Sequence, residues 1–324
     1  MKILVTGGAG YIGSQFVRNL VKTGNEAIVV DNLSRGHLHA VPPGLEFWQI
    51  DLLDYDRLLD RISSIEIDGI VHFAGFAYVG ESVSNPELYY VNNVIGSLNL
   101  LRAAKNCGIK KFVFSSTCSV YGNPKVIPIS EEAGENPINP YAQTKLTIEK
   151  ILHAFYTAYG INYVILRYFN AAGADVSGEH GESHNPEPHL IPNVLFATLD
   201  KEKTVNIFGD DYDTLDGTCI RDYIHIADLA DAHLKALEYL NNDNKPDTFN
   251  LGTGEGNSVL EIIKLAEKFS DKKINYKICG RREGDPAVLV AESSKAKKIL
   301  GWKPQCSIHE IIETAWKWHQ NPKY

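Results

Sequence analysis

The 324-residue chain is 44% hydrophobic and 22% charged, which is typical of a globular protein with one large or two small domains. Its formal net charge of −8 argues against non-specific nucleic-acid binding, and its five scattered cysteines, without a Cys-x-x-Cys pair, argue against disulfides or a zinc site. Residues 1–5 lead directly into a strand without a signal peptide, and no apolar run reaches the length of a membrane span. We therefore expect a cytoplasmic protein that binds no metal, nucleic acid or membrane.

Short apolar runs alternate with amphipathic segments along the first 170 residues. Apolar side chains at helical spacing separate the first two runs. This alternation predicts a parallel sheet with helices on both faces. The predicted strands are 2–6, 27–31, 47–50, 69–74, 111–115 and 163–167, and the predicted helices are 12–21, 55–62, 92–107 and 141–159.

A glycine-rich turn joins the first predicted strand to the first predicted helix. Gly7, Gly10 and Gly13 form G-x-x-G-x-x-G, and Gly8 begins an overlapping G-x-G-x-x-G. Glycines allow a tight turn and the close approach of a pyrophosphate, and the helix N-terminus that follows offers free N–H groups. Because the loop follows a strand and opens a helix, it predicts a dinucleotide site.

The ends of the next predicted strands suit the same site. Asp31 ends the second strand, where its carboxylate would accept hydrogen bonds from a ribose diol and repel a 2′-phosphate, so we expect NAD in preference to NADP. Asp51 and Leu52 follow the third strand, where they are placed to hold adenine, although Asp51 equally suits a helix cap. The fourth strand ends where the chain must pass under the cofactor, at Phe73, Ala74 and Gly75.

Tyr141 and Lys145 lie four residues apart in a predicted helix, so their side chains share one face. A free tyrosine has a pKa near 10, and a nearby ammonium together with a positive nicotinamide ring is expected to favour the phenolate. Thr117, just after the fifth strand, is expected to hydrogen-bond the reacting oxygen and relay its proton. Roughly one Tyr-x-x-x-Lys is expected by chance, so the pair gains its weight from the dinucleotide loop. The alternative is an exposed pair at a helix N-terminus.

The alternation changes after about residue 170. Residues 171–189 are rich in Gly, Glu, His and Pro, which is typical of a long functional loop. Farther on, Ser258 with Glu261 and Ser307 with Glu310 form capping boxes that predict two more helices.

Residues 224–228 are typical of a strand, which we expect to return to the main sheet before a helix over 229–240. The expected fold is α/β, with a Rossmann-type doubly wound parallel sheet and a smaller mixed α/β C-terminal substrate lobe. The NAD-binding domain is expected at 1–170 with a returning segment at about 222–250, and the lobe at 171–221 and 251–324.

The chain resembles the extended short-chain dehydrogenase/reductase family and, within it, the epimerases that act on UDP-hexoses. The resemblance combines the glycine loop, the Ser-Ser-Thr stretch at 115–117 and the Tyr141–Lys145 pair. It covers essentially the whole chain, in order. Further matching segments are 31–33, 72–75, 79–82, 120–122, 166–170, 216–225, 250–254 and 281–285.

This resemblance implies oxidation of C4 of UDP-glucose or UDP-galactose by tightly held NAD⁺, rotation of the 4-keto sugar, and reduction from the other face. It implies that Tyr141 takes the 4-hydroxyl proton, that Lys145 binds the nicotinamide ribose and tunes Tyr141, and that Thr117 is the hydroxyl partner. Hydride loss from C4 does require proton removal from its oxygen. The implied cofactor residues are Gly7, Gly10, Tyr11, Ile12, Gly13, Asp31, Asn32, Asp51, Leu52, Phe73, Ala74, Gly75, Asn93, Ser115, Tyr141, Lys145 and Tyr168.

The resemblance also implies a UDP-sugar site. Arg221 and Arg282 are its expected diphosphate clamp, since guanidinium forks suit phosphate, and Asp285 is expected on the uridine ribose. Alternatives are a surface turn for Arg282 and core packing for Phe208. The other implied substrate residues are Asn170, His189 and Leu190 along the diphosphate and sugar, Thr117 at the sugar, and Phe208 near the uracil.

Some positions depart from the family's commonest pattern. Ala77 stands where some members have a lysine near the cofactor phosphates, and His189 replaces an asparagine found in part of the family. Leu289 occupies the position linked to the size of the hexose pocket, where a tyrosine excludes N-acetyl sugars. Because leucine is smaller, UDP-N-acetylglucosamine and UDP-N-acetylgalactosamine are alternative substrates, and UDP-arabinose, UDP-xylose and UDP-glucuronate stay open.

Related activities need groups that this sequence lacks. Sugar-nucleotide 4,6-dehydratases carry Asp-Glu just after the threonine, where this chain has Cys118 and Ser119. UDP-glucuronate decarboxylases carry a glutamate at the position of Ser119. An inactive NAD-binding sensor is the alternative from another class. The resemblance further implies a homodimer formed through the helices at 92–107 and 146–159. The apolar stripe of the second helix is at least as typical of an intramolecular core; it comprises Ile148, Ile151, Leu152 and Phe155.

Overall fold

The computed structural model describes residues 1–282 and 285–324, and the strands of these residues form one large sheet and two small ones. The predicted strand positions agree with the structure to within a few residues. The strands are β1 (Lys2–Thr6), β2 (Glu26–Asp31), β3 (Glu46–Gln49), β4 (Gly69–His72), β5 (Lys111–Thr117), β6 (Asn162–Tyr168), β7 (Asn170–Ala172), β8 (Val205–Phe208), β9 (Ile220–His225), β10 (Asp247–Leu251), β11 (Gly256–Ser258), β12 (Tyr276–Cys279) and β13 (Val288–Leu289).

Helices connect most of these strands. Short 3₁₀ turns occur at Leu38–Ala40 and Cys118–Tyr121, and π-helical turns occur at Tyr90–Ile95 and Ala296–Leu300. The α-helices are α1 (Tyr11–Lys22), α2 (Tyr55–Ser63), α3 (Val79–Ser84), α4 (Pro86–Tyr89), α5 (Gly96–Asn106), α6 (Pro140–Tyr159), α7 (Leu190–Leu199), α8 (Ile226–Asn241), α9 (Val259–Ser270) and α10 (Ile308–Gln320).

The large sheet has seven strands in the order β3-β2-β1-β4-β5-β6-β10. Every neighbouring pair in it is parallel. The chain reverses its direction across the sheet between β1 and β4, and ligands of open α/β sheets bind at the carboxyl ends of the strands at such a point. The structure therefore confirms the predicted Rossmann-type doubly wound sheet and locates its expected ligand crevice.

Two hydrophobic layers cover the faces of this sheet. Alternate strand residues point to opposite faces, so Ile3 joins the layer that contains α1 and α8, whereas Leu4 joins the layer that contains α2, α5 and α6. Phe16 and Phe112 are among the largest fully buried side chains of the two layers. Because apolar helices cover both faces, the strands read as nearly continuous apolar runs.

The predicted return of residues 224–228 to the large sheet is wrong. Strand β9 instead lies in a small sheet, antiparallel to β11 and parallel to β13 and β7. The segment that does return consists of α8, which packs against β5 and β6, and the edge strand β10. The chain thus passes from the small sheet to the helix that covers the large sheet directly after His225, at the start of α8.

Helix starts agree with the local sequence signals. The Asn139 side chain accepts a hydrogen bond from the Ala142 N–H at 2.9 Å, and Pro140 occupies the first turn of α6. Both predicted capping boxes form, at Ser258 with Glu261 and at Ser307 with Glu310. In the part of the chain that the structure describes, no helix combines the length and apolar character needed to cross a membrane.

A buried ion pair ties α6 to β6. The side chains of Arg167 and Glu149 are only 4% and 5% exposed, and the Arg167 Nε donates to Glu149 at 3.1 Å. Glu135 pairs with the same arginine but is 38% exposed. We expect Glu149→Gln to lower the free energy of unfolding by about 3 kcal/mol, because it leaves a buried guanidinium undercompensated.

Urea denaturation monitored by circular dichroism measures this loss. Glu135→Gln is the matched control, since it removes the charge of the exposed partner of the same arginine. It should lower the free energy of unfolding by less than about 1 kcal/mol. Equal losses in the two variants would show that burial does not set the strength of this pair.

Candidate active site

The glycine loop between β1 and α1 is packed too tightly for side chains. A Cβ on Gly7, whose φ is +72°, would lie 2.4 Å from the Ala74 nitrogen, and a Cβ on Gly13 would lie 2.2 Å from the Gly7 oxygen. Gly10 precedes α1 and donates its N–H to the Gly7 oxygen at 3.1 Å. Within the described residues, no side chain caps the N-terminus of α1 and no acidic residue lies in its first turn. The first turn of α1 therefore presents uncapped N–H groups to an anion, which fits a pyrophosphate.

The next two residues of the motif hold the loop in place. The Tyr11 hydroxyl donates to the Gly173 oxygen at 2.5 Å, which links α1 to the chain after β7. Burial raises the pKa of Tyr11 well above its usual value, so this phenol stays neutral. Ile12 packs against the hydrophobic layer on the α1 side of the sheet.

Asp31 is a buried carboxylate at the end of β2. Its oxygens accept from the N–H groups of Ala9 at 3.0 Å and Leu33 at 2.8 Å, which joins β2 to the glycine loop. Burial raises the pKa of Asp31, and these two backbone hydrogen bonds oppose the rise. A carboxylate has about four acceptor sites, so the Asp31 carboxylate retains capacity for a ribose diol.

Asn32 and Asp51 connect the ends of β2 and β3. The Asn32 amide donates to Asp51 at 2.9 Å, and Asp51 also accepts from the Leu53 N–H at 2.9 Å. The alternative role of Asp51 as a helix cap is wrong, because Asp54 caps α2. Leu52, which follows Asp51 directly, packs against Gly96 of α5. Its carbonyl oxygen accepts a hydrogen bond from the Asn99 amide at 3.0 Å.

Residues after β4 meet α6 below the loop. Phe73 and Ala74 both donate their N–H groups to the Thr6 oxygen, which closes the end of β4 on β1. A Cβ on Gly75 would lie 3.3 Å from Asn93 Oδ1 and 3.6 Å from Lys145 Nζ. The Asn93 amide bridges the backbone of residue 76 and the hydroxyl of residue 144, so three predicted cofactor positions converge here.

Lys145 is almost completely buried, with 4% of its surface exposed. Its ammonium donates to the Ser115 carbonyl oxygen at 2.8 Å and lies 4.8 Å from the centre of the Phe114 ring. Burial lowers the pKa of Lys145 to about 8, while Glu149 raises it. The amine is therefore mostly charged at pH 7 and partly neutral at pH 8.

Tyr141 lies in the first turn of α6 with 7% of its surface exposed. Among the protein's own groups, burial dominates and raises the pKa of Tyr141, and a hydrogen bond with the side chain of Thr117 lowers it. The prediction that Lys145 and a nicotinamide ring together favour the phenolate stays a prediction. In the protein alone, burial opposes the phenolate, and the Lys145 ammonium donates to the Ser115 carbonyl oxygen. Tyr141 and Thr117 nevertheless meet, as predicted from their positions.

The two residues after Thr117 have no capacity for acid–base chemistry at neutral pH. Burial raises the pKa of Cys118 to about 12. Ser119 donates its N–H to the Thr117 hydroxyl at 3.1 Å, and the two hydroxyls lie 3.1 Å apart. Ser119 therefore orients Thr117, and this pair cannot supply the carboxyl groups of an elimination.

His233 of α8 is a site residue that the sequence analysis missed. Its Nδ1 lies 2.7 Å from the Leu229 carbonyl oxygen, which can only accept, so the proton is on Nδ1. Its Nε2 then accepts from the Ser115 hydroxyl at 2.7 Å, and burial lowers the pKa of His233 to about 4. The Ser115 hydroxyl also reaches Tyr168, whose pKa burial raises to about 12. No motif marks a lone histidine inside a helix.

The small sheet brings several predicted substrate residues together. Leu289 of β13 lies opposite Arg221 of β9 in the strand register, and the Asn170 amide of β7 donates to the Asp222 carbonyl oxygen at 3.0 Å. Leu289 also packs against the hydrophobic cluster that contains Cys118. The hexose-pocket position is thus close to the end of β5, where Thr117 lies.

The predicted uridine-end residues form two contacts. Arg221 and Asp285 make a direct ion pair, and the Arg282 guanidinium lies 3.8 Å from the centre of the Phe208 ring. The second contact is a cation–π contact between a guanidinium and an aromatic ring. Phe208 is half-buried at the end of β8, so core packing does not account for it alone. Glu283 and Gly284 of the matching segment lie outside the described residues.

His189 and Leu190 mark the start of α7. The His189 imidazole contacts Glu182 at 2.7 Å and Glu187 at 2.9 Å, and His184 lies beside them. The sequence analysis did not single out these three neighbours. The spacing Glu-x-His-x-x-Glu-x-His over 182–189 is the signal that marks them.

Comparisons with known proteins agree with this geometry. The model of the NAD dependent epimerase/dehydratase family matches residues 3–252. A UDP-glucose 4-epimerase of Halalkalibacterium halodurans is 51% identical over 99% of this chain and 96% of its own length. A solved UDP-glucose 4-epimerase superposes with a TM-score of 0.97 at 47% identity, covering 99% of this chain and 98% of that one. The Brucella ovis UDP-glucose 4-epimerase, solved in complex with NAD, gives a TM-score of 0.95 at 44% identity over 97% of both chains.

Proposed function

Because the chain belongs to the NAD dependent epimerase/dehydratase family, we infer that it catalyses the NAD-dependent 4-epimerisation of a UDP-hexose, interconverting UDP-glucose and UDP-galactose. One observation carries this choice of reaction. The Tyr141 phenol and the Thr117 hydroxyl meet in a buried site, and the next position holds the un-ionised thiol of Cys118. The site can therefore remove and return one proton, but it lacks the acid and base of the related eliminations.

NAD fits the crevice at the carboxyl ends of β1, β2 and β4. The glycine loop and the uncapped start of α1 suit its pyrophosphate, and Asp31 suits the hydroxyls of its adenosine ribose. Asn93, Lys145 and Tyr168 are the proposed partners of its other half. When bound, NAD⁺ supplies a hydride acceptor at C4 of the sugar and later a hydride donor to the same carbon.

Tyr141 is the proposed proton acceptor for the 4-hydroxyl. The Thr117 hydroxyl lowers the pKa of this phenol and is placed to hold the sugar oxygen at the same time. Lys145 contributes a positive charge on the same face of α6, which favours the phenolate as the proton leaves the sugar. The proton returns from Tyr141 to the 4-oxygen when C4 is reduced, so no net acid or base is consumed.

The UDP group is proposed to lie along the small sheet and the β8–β12 pair. Arg221 and Arg282 are the proposed phosphate ligands, and the Phe208 ring is the proposed neighbour of the uracil. Asp285 makes an ion pair with Arg221, which fixes the position of the Arg221 guanidinium in the proposed site. Asn170, His189 and Leu190 line the route from there to the sugar.

Substrate assays with the purified protein test the proposed reaction. UDP-galactose is expected to turn over fastest of three substrates assayed separately. The other two are the alternative substrates UDP-N-acetylgalactosamine and UDP-arabinose. No turnover of any of the three would contradict the inference.

Replacing Leu289 tests the proposed pocket. The larger side chain of Leu289→Tyr should fill space beside the hexose, so kcat/KM for UDP-N-acetylgalactosamine should fall about 10–200-fold relative to UDP-galactose. The ratio of the two kcat/KM values is the measurement. Leu260→Tyr on α9, which packs in the C-terminal core, is the control for a leucine-to-tyrosine change. An unchanged ratio in Leu289→Tyr would exclude this position as the determinant.

A homodimer and a cytoplasmic location are also proposed. Helices α5 and α6 pack side by side, but Ile148 and Leu152 of the predicted stripe are buried in this chain's own core. The dimer proposal therefore relies on the resemblance and on exposed apolar groups nearby, such as Ile95, and light scattering tests it. All five cysteines are free thiols, which suits a reducing compartment.

A further inference from the structure

Four side chains of the segment between β7 and α7 point their polar atoms at one place. They are Glu182, His184, Glu187 and His189, and one ligand atom from each lies within 4.8 Å of all the others. The proposed proton transfer uses none of these groups. Two imidazole nitrogens and two carboxylate oxygens are a common ligand set for a transition metal.

Hydrogen bonds alone do not satisfy this cluster. The Nδ1 atom of His189 lies 2.7 Å from Glu182 Oε1 and 2.9 Å from Glu187 Oε1. The Nδ1 atom of His184 lies 3.2 Å from Glu182 Oε1 and 3.4 Å from Glu187 Oε2. Each Nδ1 carries at most one proton, so neither can donate to both of its neighbouring carboxylates.

Two buried atoms of the cluster lack a hydrogen-bond partner among the described residues. They are His184 Nδ1 and Glu187 Oε2, whose separations from other cluster atoms are short but whose angles do not make hydrogen bonds. The Glu187 side chain is only 5% exposed, so water does not readily satisfy its free oxygen. A cation between the two carboxylates and the two imidazoles would satisfy all four groups at once.

We propose that Glu182, His184, Glu187 and His189 bind one divalent transition-metal ion, for which zinc has the best-matched coordination. Zinc bonds of about 2.0–2.2 Å to nitrogen and oxygen place tetrahedral ligands roughly 3.3–3.6 Å apart. The separations of 3.2 and 3.4 Å at His184 Nδ1 match this spacing, and those of 2.7 and 2.9 Å at His189 Nδ1 would lengthen when the ion binds. Two carboxylates and two neutral imidazoles carry a charge of −2, which a divalent ion neutralises. Two nitrogen ligands disfavour magnesium and calcium, which prefer oxygen.

Surrounding contacts hold the four ligands in position. The rings of Tyr11 and Tyr78 meet His184 edge-on, at 6.3 and 5.7 Å between ring centres. The Trp318 indole donates to the Glu182 carbonyl oxygen at 2.8 Å, and the Asn193 amide donates to the Glu187 carbonyl oxygen at 2.9 Å. The ion would therefore connect three parts of the chain, since Tyr11 contacts His184, His189 begins α7, and Trp318 of α10 contacts Glu182. Since four protein ligands complete a tetrahedron, its role is structural.

Metal analysis of the purified full-length protein tests the proposal without any activity measurement. After chelator treatment and titration with Zn²⁺ alone, calorimetry and elemental analysis should find one zinc per chain and a raised melting temperature. His184→Ala should weaken zinc binding by at least about 10²-fold. Co²⁺ in the same site should give the intense visible absorption of tetrahedral coordination.

Two further variants keep the outcome interpretable. Glu187→Gln preserves the size of the side chain and should weaken zinc binding by about 10-fold or more even if His184→Ala does not fold. His39→Ala removes an exposed histidine outside the cluster and should bind zinc like the original chain. The proposal is overturned if the protein binds no zinc, or if Glu187→Gln and His39→Ala bind it equally well, which would identify the cluster as an ion-paired network only.

Discussion

Tyr141→Phe should lower kcat for UDP-galactose by about 10²–10⁴-fold, the range typical for removal of a general acid–base group. The phenylalanine ring keeps the packing of the buried site but cannot accept or return the proton of the 4-hydroxyl. Bound NAD should stay at the level of the original protein, because the glycine loop and Asp31 are untouched. Turnover and the NAD released on denaturation are the two measurements.

Tyr89→Phe is the matched control for this variant. Tyr89 is buried like Tyr141, its ring is 6.5 Å from that of Tyr141, and its hydroxyl donates to the Tyr78 carbonyl oxygen at 2.8 Å. It loses a phenol hydroxyl nearby without touching the proposed proton path, so its kcat should change only a few-fold. If Tyr141→Phe kept the activity of the Tyr89→Phe control, Tyr141 would not be the base. A protein inactive before either change would favour the sensor alternative.

Gly7→Ala should abolish tight NAD binding. The new Cβ would lie 2.4 Å from the Ala74 nitrogen and 2.7 Å from the Ala74 Cα, so the end of β4 or the glycine loop must move. Forcing an extra carbon into packed structure typically costs about 1–3 kcal/mol and occasionally more, and both segments lie in the proposed cofactor crevice. We expect cofactor affinity to fall at least about 10²-fold, as measured by the NAD that remains after gel filtration.

Gly24→Ala separates the clash from backbone strain. Gly24 has a φ of +78°, close to the +72° of Gly7, but a Cβ there meets nothing within 4 Å. Both substitutions carry the cost of a left-handed conformation, about 1–2 kcal/mol, and only Gly7→Ala adds the collision with Ala74. Equal NAD retention in the two variants would mean that the loop does not need its close approach to β4.

Features encoded by neighbouring residues were predicted well from the sequence. The glycine loop, the capping boxes and the Asn139–Pro140 start of α6 each depend on a few adjacent positions. The parallel sheet followed from apolar runs that both helical layers bury. Tyr141 and Thr117 were also predicted to meet, because both were expected to contact the same reacting oxygen.

Contacts between distant segments were not predictable from local patterns. Strand β9 has the composition of a core strand, but its partners are supplied by β7, β11 and β13 of the small sheet. His233 reaches Ser115 across 118 residues of sequence, and Arg221 reaches Asp285 across 64. The direction of the Tyr141 pKa depends on burial, which is a property of the assembled site and not of the four-residue spacing.

The most direct test of 4-epimerisation uses UDP-galactose that carries deuterium at C4. If one hydride leaves and returns to the same carbon, the product is UDP-glucose with deuterium retained at C4, and NADH does not accumulate in solution. NMR identifies the product sugar, mass spectrometry measures its deuterium content, and absorbance measures free NADH. Loss of the deuterium to solvent, or NADH formed in step with product, would contradict the proposed reaction.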